Sequence, residues 1–107
     1  MHRARFQRMK RTAFFINIGR GMTTRLDDLA AALRAGELAG AGLDVFEQEP
    51  LPADHALWTM PGVLITPHTA GFGPYLDERR FDILLDNSRR FLAGQPLRNV
   101  VDKSSWF

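Results

Sequence analysis

The sequence of 107 residues contains no cysteine. Disulfides, thiolate metal sites and thiol catalysis are excluded, while the redox compartment stays open. His2, His55 and His68 are too scattered to suggest a metal centre, so no metal is expected. No apolar run approaches the roughly 20 residues that cross a bilayer, and no membrane contact is expected. Charge of one sign is also scarce: the formal net charge is +2, although five of the first eleven residues are Lys or Arg. That basic start lacks interleaved aromatics and a recognition motif, so it reads as a solvated helical face, with no nucleic-acid partner. Ala13-Phe14-Phe15-Ile16 behind it superficially imitates a secretory signal. The apolar run ends at Asn17, however, and Arg20 stands where a small-residue cleavage site belongs. A cytoplasmic protein is the expectation.

What is present suits one modest core, with 45% hydrophobic and 24% charged residues. Arg3 to Lys10 reads as a short helix with Phe6 and Met9 inward. Ala13 to Ile18 reads as a first strand, and its near-continuous apolar character implies cover on both faces, as in parallel sheets. Thr23 or Thr24 is expected to cap a helix whose first turn carries Asp27 and Asp28, with Leu26, Leu29, Ala30 and Leu33 buried and Gly36 as terminator. Leu38 to Val45 is a second strand, Asp54 to Trp58 one or two helical turns, and Val63 to Thr66 a third strand. Gly71-Phe72-Gly73-Pro74 breaks the chain before a long helix from Glu78 to Gly94, striped by Phe81, Leu84, Leu85, Ser88 and Leu92. In the tail, Trp106 and Phe107 are expected to dock on a neighbouring surface. The organisation is α/β, and right-handed crossovers bring all three strand ends to one side, where such sheets bind ligands.

Each strand is followed by a chemically useful group. Arg20 lies between Gly19 and Gly21, where a guanidinium can clamp a carboxylate and glycine lets a ligand approach the backbone; a surface arginine in a Gly-rich turn is the plainer reading. Asp44 and Glu49 follow the second strand, and either can orient a histidine, hold a polar part of a cofactor, or belong to an ordinary acidic loop. His68 follows the third strand, poised to give a proton to a carbonyl oxygen or simply to cap the strand end. An arginine, a carboxylate and a histidine on one rim suit hydride chemistry on a carbonyl acid.

Several ordered motifs carry a resemblance to a known family. They are Phe6-Gln7-Arg8-Met9-Lys10, Phe15-Ile16-Asn17-Ile18-Gly19-Arg20-Gly21, Leu29-Ala30-Ala31-Ala32-Leu33-Arg34-Ala35-Gly36, Ala39-Gly40-Ala41-Gly42-Leu43-Asp44-Val45-Phe46-Glu47-Gln48-Glu49-Pro50-Leu51-Pro52, Ile65-Thr66-Pro67-His68-Thr69-Ala70-Gly71, and Phe91 to Val101. The chain resembles the D-isomer-specific 2-hydroxyacid dehydrogenases, in the C-terminal part of their NAD-binding domain. By that resemblance Arg20 would bind the substrate carboxylate and carbonyl, His68 would be the acid/base, and Glu49 would keep His68 protonated. Asp44 would contact the nicotinamide side of NAD or NADP, and Ile18, Gly19, Arg20 and the segment His68, Thr69, Ala70, Gly71 would line its pocket. The implied reaction interconverts a small 2-oxo acid and a D-2-hydroxy acid, in a family whose full-length form is expected to be a homodimer.

The resemblance also implies what is missing. No G-x-G-x-x-G run occurs, and Gly19-Arg20-Gly21 is too short to replace it. The expectation is therefore a partial Rossmann-like parallel sheet of three strands, lacking the N-terminal half with the glycine fingerprint. Residues 1–107 would be the C-terminal portion of a dinucleotide-binding domain, with 75–107 a helix and tail packing on an absent substrate domain. Such a fragment or truncated gene product should be inactive alone, marginally stable, and left with an unpaired edge beside the first strand or its neighbour. The alternatives are a dinucleotide-sensing, corepressor-like interaction module and an inactive remnant.

Overall fold

Three parallel strands organise the first part of the chain: β1 (Phe14–Asn17), β2 (Gly40–Leu43) and β3 (Val63–Ile65), in the spatial order β1-β2-β3. The computed structural model describes residues 1–105. The docking expected of Trp106 and Phe107 lies outside the described residues. The chain divides into two compact units, Met1–Gly71 and one beginning at Phe72.

In the first unit the core lies on one side of the sheet. Helix α1 (Arg3–Phe6) and helix α2 (Leu26–Arg34) supply Phe6, Leu26, Leu29, Ala30 and Ala32, which meet Ala41 and Leu43 of β2 and Phe46, Leu51 and Leu57 beyond it. Phe6 is fully buried and stands edge-on to Phe15, with ring centroids 5.3 Å apart. The first helix is a single turn rather than the span to Lys10 that the basic segment suggests, but Phe6 and Met9 both turn to the core as their spacing requires.

The start of α2 corrects a second expectation. Neither threonine caps it; Arg25 occupies the cap position without a side-chain bond. Glu47, from the loop after β2, accepts the Leu26 N–H through Oε2 at 2.6 Å, so the orphan donor is satisfied by a residue distant in sequence. Asp27 and Asp28 do occupy the first turn, and α2 ends into Gly36 at φ 64°, where the Gly36 and Glu37 N–H groups bond back to Leu33 and Ala32. The turns expected near Trp58 form a 3-10 segment, Ala56–Trp58, whose Leu57 N–H is accepted by His55 Nδ1.

The largest departure concerns β1. Phe15 and Asn17 face the core, but Phe14, Ile16 and Ile18 are exposed. Ile16, Gly42 and Leu64 are in register across the sheet, and Ile16 and Leu64 are each 68% exposed. One face is therefore uncovered, where the apolar run implied two covered faces. Residue composition reports what a strand tolerates, whereas cover needs helices on both sides, and α1 and α2 share one. Strand β1 pairs only with β2, so its other edge is unpaired among the described residues.

In the second unit α3 (Leu76–Leu92) begins two residues before the expected Glu78, directly after Tyr75 at φ 61°. Asp77 and Glu78 in its first turn and Arg89 and Arg90 in its last complement the helix dipole. None of its residues is buried, and Phe81, Leu84 and Leu92 leave the expected stripe exposed. The segment after α3 folds back: Asn87 exchanges two hydrogen bonds with the Arg98 backbone, and Arg90 and Arg98 share Asp86 Oδ2 at 3.0 Å.

Candidate active site

Asn17, Leu43 and Ile65 are aligned across the sheet, so the three strands end level. Arg20, Asp44 and His68 follow them by three, one and three residues respectively. The carboxyl rim therefore carries all three predicted chemical groups.

The Arg20 arm is held by neutral hydrogen bonds. Its carbonyl accepts from Thr23 Oγ1 at 2.6 Å, Thr23 N–H at 3.1 Å and Asn17 Nδ2 at 3.3 Å, while Asn17 Oδ1 accepts the Gly19 N–H at 3.2 Å. The guanidinium is exposed, with Nη1 donating to the Gly19 carbonyl at 2.9 Å. Gly21 has a different use from ligand access. A Cβ there would lie 1.8 Å from the Phe46 carbonyl oxygen, so only glycine lets the two backbones touch. Gly19, by contrast, is open; a Cβ there would meet only Asn17 Oδ1 at 3.7 Å.

The His68 arm is held by carboxylates. Asp44 is buried, and its Oδ1 accepts from Thr66 Oγ1 at 2.5 Å and the Thr69 N–H at 2.8 Å, while Oδ2 accepts the Ala70 N–H at 2.8 Å. The Thr66 hydroxyl, followed by the two amides, outweighs the opposing effect of burial and lowers the Asp44 carboxyl from 3.8 to about 2. A charged Asp44 thus ties down the segment on both sides of His68. The segment reaches it through a left-handed residue: His68 itself has φ 54°.

Glu49 completes the arm. Its Oε2 lies 2.7 Å from His68 Nδ1, and its Oε1 accepts the Phe46 N–H at 2.9 Å. The bond to His68, then that from Phe46, lowers the Glu49 carboxyl below its ordinary value, so it remains charged beside the imidazole. With Nδ1 turned to the carboxylate, Nε2 is the ring nitrogen left for a ligand. Phe46 joins the two arms, since its carbonyl abuts Gly21 and its amide binds Glu49. Beside the pair lies a cavity of about 330 Å³, lined by Phe46, Glu49, Leu51, Trp58, Ile65, His68 and neighbouring prolines.

The remaining predicted cofactor residues, Ile18, Gly19, Thr69, Ala70 and Gly71, are exposed on the same loops. Of the two carboxylates left open by sequence, Glu49 is the partner of His68, and Asp44 holds its loop. Sequence reasoning assigned no role to Asn17, Thr66 or Phe46, and offered Thr23 only as a helix cap. Asn17 had a signal, an amide closing an apolar strand; Phe46 had none, because its part is played by its backbone. Among the described residues no group of three or more His, Asp or Glu side chains is placed to hold a metal.

A parallel α/β sheet whose carboxyl rim gathers an exposed guanidinium and a carboxylate–imidazole pair has the architecture of a dinucleotide-binding domain. Residues 1–70 match the family described as D-isomer specific 2-hydroxyacid dehydrogenase, NAD binding domain, and the chain belongs to that family. The match ends within a residue of the first unit's boundary at Gly71. A glyoxylate/hydroxypyruvate reductase B from Citrobacter koseri is 43% identical over 102 residues, covering 92% of this chain and 31% of the relative. Among solved structures, a D-isomer specific 2-hydroxyacid dehydrogenase from Xanthobacter autotrophicus, in complex with NADPH, is 41% identical with a TM-score of 0.86, covering 100% of this chain and 43% of that one. An NADPH-dependent glyoxylate/hydroxypyruvate reductase from Sinorhizobium meliloti, in complex with NADP, is 37% identical with a TM-score of 0.85, covering 100% of this chain and 35% of that one. The chain spans about a third of the length of the curated relatives it matches.

Proposed function

We propose that this chain supplies the catalytic rim of an oxidoreductase that interconverts 2-oxo acids and D-2-hydroxy acids with NAD(H) or NADP(H). The observation that carries the reading is the 2.7 Å pair of Glu49 and His68 on the rim that also bears Arg20. The names of the relatives, glyoxylate and hydroxypyruvate reductases, support a small acid as substrate.

In this reading the exposed Arg20 guanidinium holds the carboxylate and polarises the adjacent carbonyl. His68 offers a proton from Nε2 to the carbonyl oxygen, and Glu49 stabilises the imidazolium before the transfer. Asp44 keeps the His68 segment in place, and its Oδ2, which accepts one hydrogen bond among the described residues, keeps acceptor capacity that the nicotinamide carboxamide would use. The exposed Ile18 and the open backbone at Gly19 fit the flat, apolar nicotinamide end of the cofactor. They do not fit its diphosphate, because the chain has no glycine fingerprint at a helix N-terminus. When bound, the nicotinamide supplies the hydride for the 2-oxo carbon.

Within the same reading, residues 75–107 pack on a substrate domain, and the full-length family form is a cytoplasmic homodimer, testable by sedimentation and cell fractionation. No helix among the described residues is long and apolar enough to cross a membrane.

The test replaces the corresponding segment of the Xanthobacter autotrophicus dehydrogenase by this chain and follows cofactor oxidation with glyoxylate, hydroxypyruvate and longer 2-oxo acids. Oxidation dependent on the acid is expected, falling roughly 100-fold or more on His68→Ala or Arg20→Ala. Unchanged rates in either variant refute the assignment.

A further inference from the structure

Asn17 closes the strand from which the Arg20 arm leaves, and we propose that its side-chain amide is the positioning element for the Arg20 guanidinium. The inference rests on the reading of Arg20 as the carboxylate clamp. Asn17 closes β1 and is 7% exposed. Its Nδ2 carries two hydrogens and has three acceptors in reach, the Arg20 carbonyl at 3.3 Å, Thr23 Oγ1 at 3.4 Å and Thr24 Oγ1 at 3.2 Å. Its Oδ1 takes the Gly19 N–H at 3.2 Å. Residues on both sides of Arg20 are thereby tied to the end of a strand paired in the sheet.

Among the described residues the guanidinium makes one hydrogen bond of its own, to the carbonyl of Gly19, and the N–H of that same glycine is held by Asn17. Where the charge sits is therefore decided through the peptide of Arg20. An alanine at 17 strands the Gly19 amide and takes a partner from Thr24, which is 1% exposed. An aspartate keeps the size but turns a negative oxygen toward the Arg20 carbonyl. The backbone of Asn17 has a separate duty: its carbonyl accepts the Asp44 N–H at 3.0 Å. Side-chain substitution leaves that bond intact, so the Arg20 arm can be loosened without touching the strand that leads to Asp44. A two-pronged grip on a carboxylate is sensitive to placement, and a shift of ~1 Å in a positioning group can cost ~100-fold.

The experiment uses the full chain and oxalate, whose oxygens mimic the carboxylate and carbonyl of a 2-oxo acid. Arg20 Nε–H and the His68 ring are followed by NMR during titration. The wild-type chain should show a saturable shift at Arg20. Asn17→Ala should weaken oxalate binding roughly tenfold and Asn17→Asp further, with the pH response of the His68 ring unchanged. Thr23→Ala removes an exposed hydroxyl that donates to the Arg20 carbonyl, and should weaken binding about threefold without risk to the core. Undiminished affinity in Asn17→Ala, or in Thr23→Ala where the Asn17 variants do not fold, overturns the positioning role and leaves the clamp standing. A loss of affinity matched by an altered His68 titration shows general loosening and also overturns it. A wild-type chain whose Arg20 signal ignores oxalate overturns both the inference and the clamp.

Discussion

The arm carrying Arg20 and the arm carrying His68 leave the strands that flank β2, yet they are secured by different chemistry. Amide and hydroxyl groups hold the first, through Asn17 and Thr23. Ionised carboxylates hold the second, through Asp44 and Glu49. A neutral network is indifferent to acid, whereas a carboxylate accepting several donors binds them only while charged. On the proposed reading, the group that keeps its charge constant sits on the neutral arm, and the group that exchanges a proton sits among anions.

The sharpest way to break this comparison is to remove Asp44. Asp44→Ala should leave the Thr69 and Ala70 amides without acceptors and speed their hydrogen exchange by roughly tenfold or more, with the Gly19 amide unchanged. Equal loosening of both arms would show that they are one unit.

Acid should separate the arms by degrees. Asp44 has its carboxyl lowered to about 2 from an ordinary 3.8, so its contribution is complete above the ordinary value and is lost as pH falls toward the lowered one. Glu49, lowered in the same direction, adds to the loss. In an NMR pH titration the Thr69 and Ala70 amides should move through that window before the Gly19 amide does. Simultaneous movement would point to global unfolding.

The smallest effect concerns catalysis. In the chimaeric enzyme proposed above, Glu49→Gln removes the anion beside the imidazole, so the alkaline limb of the reduction profile should shift toward acid. An unchanged profile would detach Glu49 from the proton transfer.

Much of this arrangement was legible in the sequence, because a buried strand followed by a polar residue marks the rim of a parallel sheet. The parallel course of the three strands and the placement of Arg20, Asp44 and His68 at their ends follow from that rule, and the stripe of α2 from its helical spacing. The cap of α2 was not legible, since Glu47 reaches Leu26 across the fold and local spacing pointed to the threonines instead. Nor was the work of Phe46, whose backbone joins the arms while its side chain reads as ordinary core. The uncovered face of β1 was misread for a related reason: an apolar run is the same whether or not a second layer of helices is present.

That face has a thermal consequence. Phe14, Ile16, Ile18 and Leu64 keep their hydrocarbon in contact with water. Since the aversion of such surface to water weakens on cooling, the chain pays least for this exposure in the cold. Purification at low temperature should hold it dispersed, and light scattering that rises on gentle warming and falls again on chilling would be its signature.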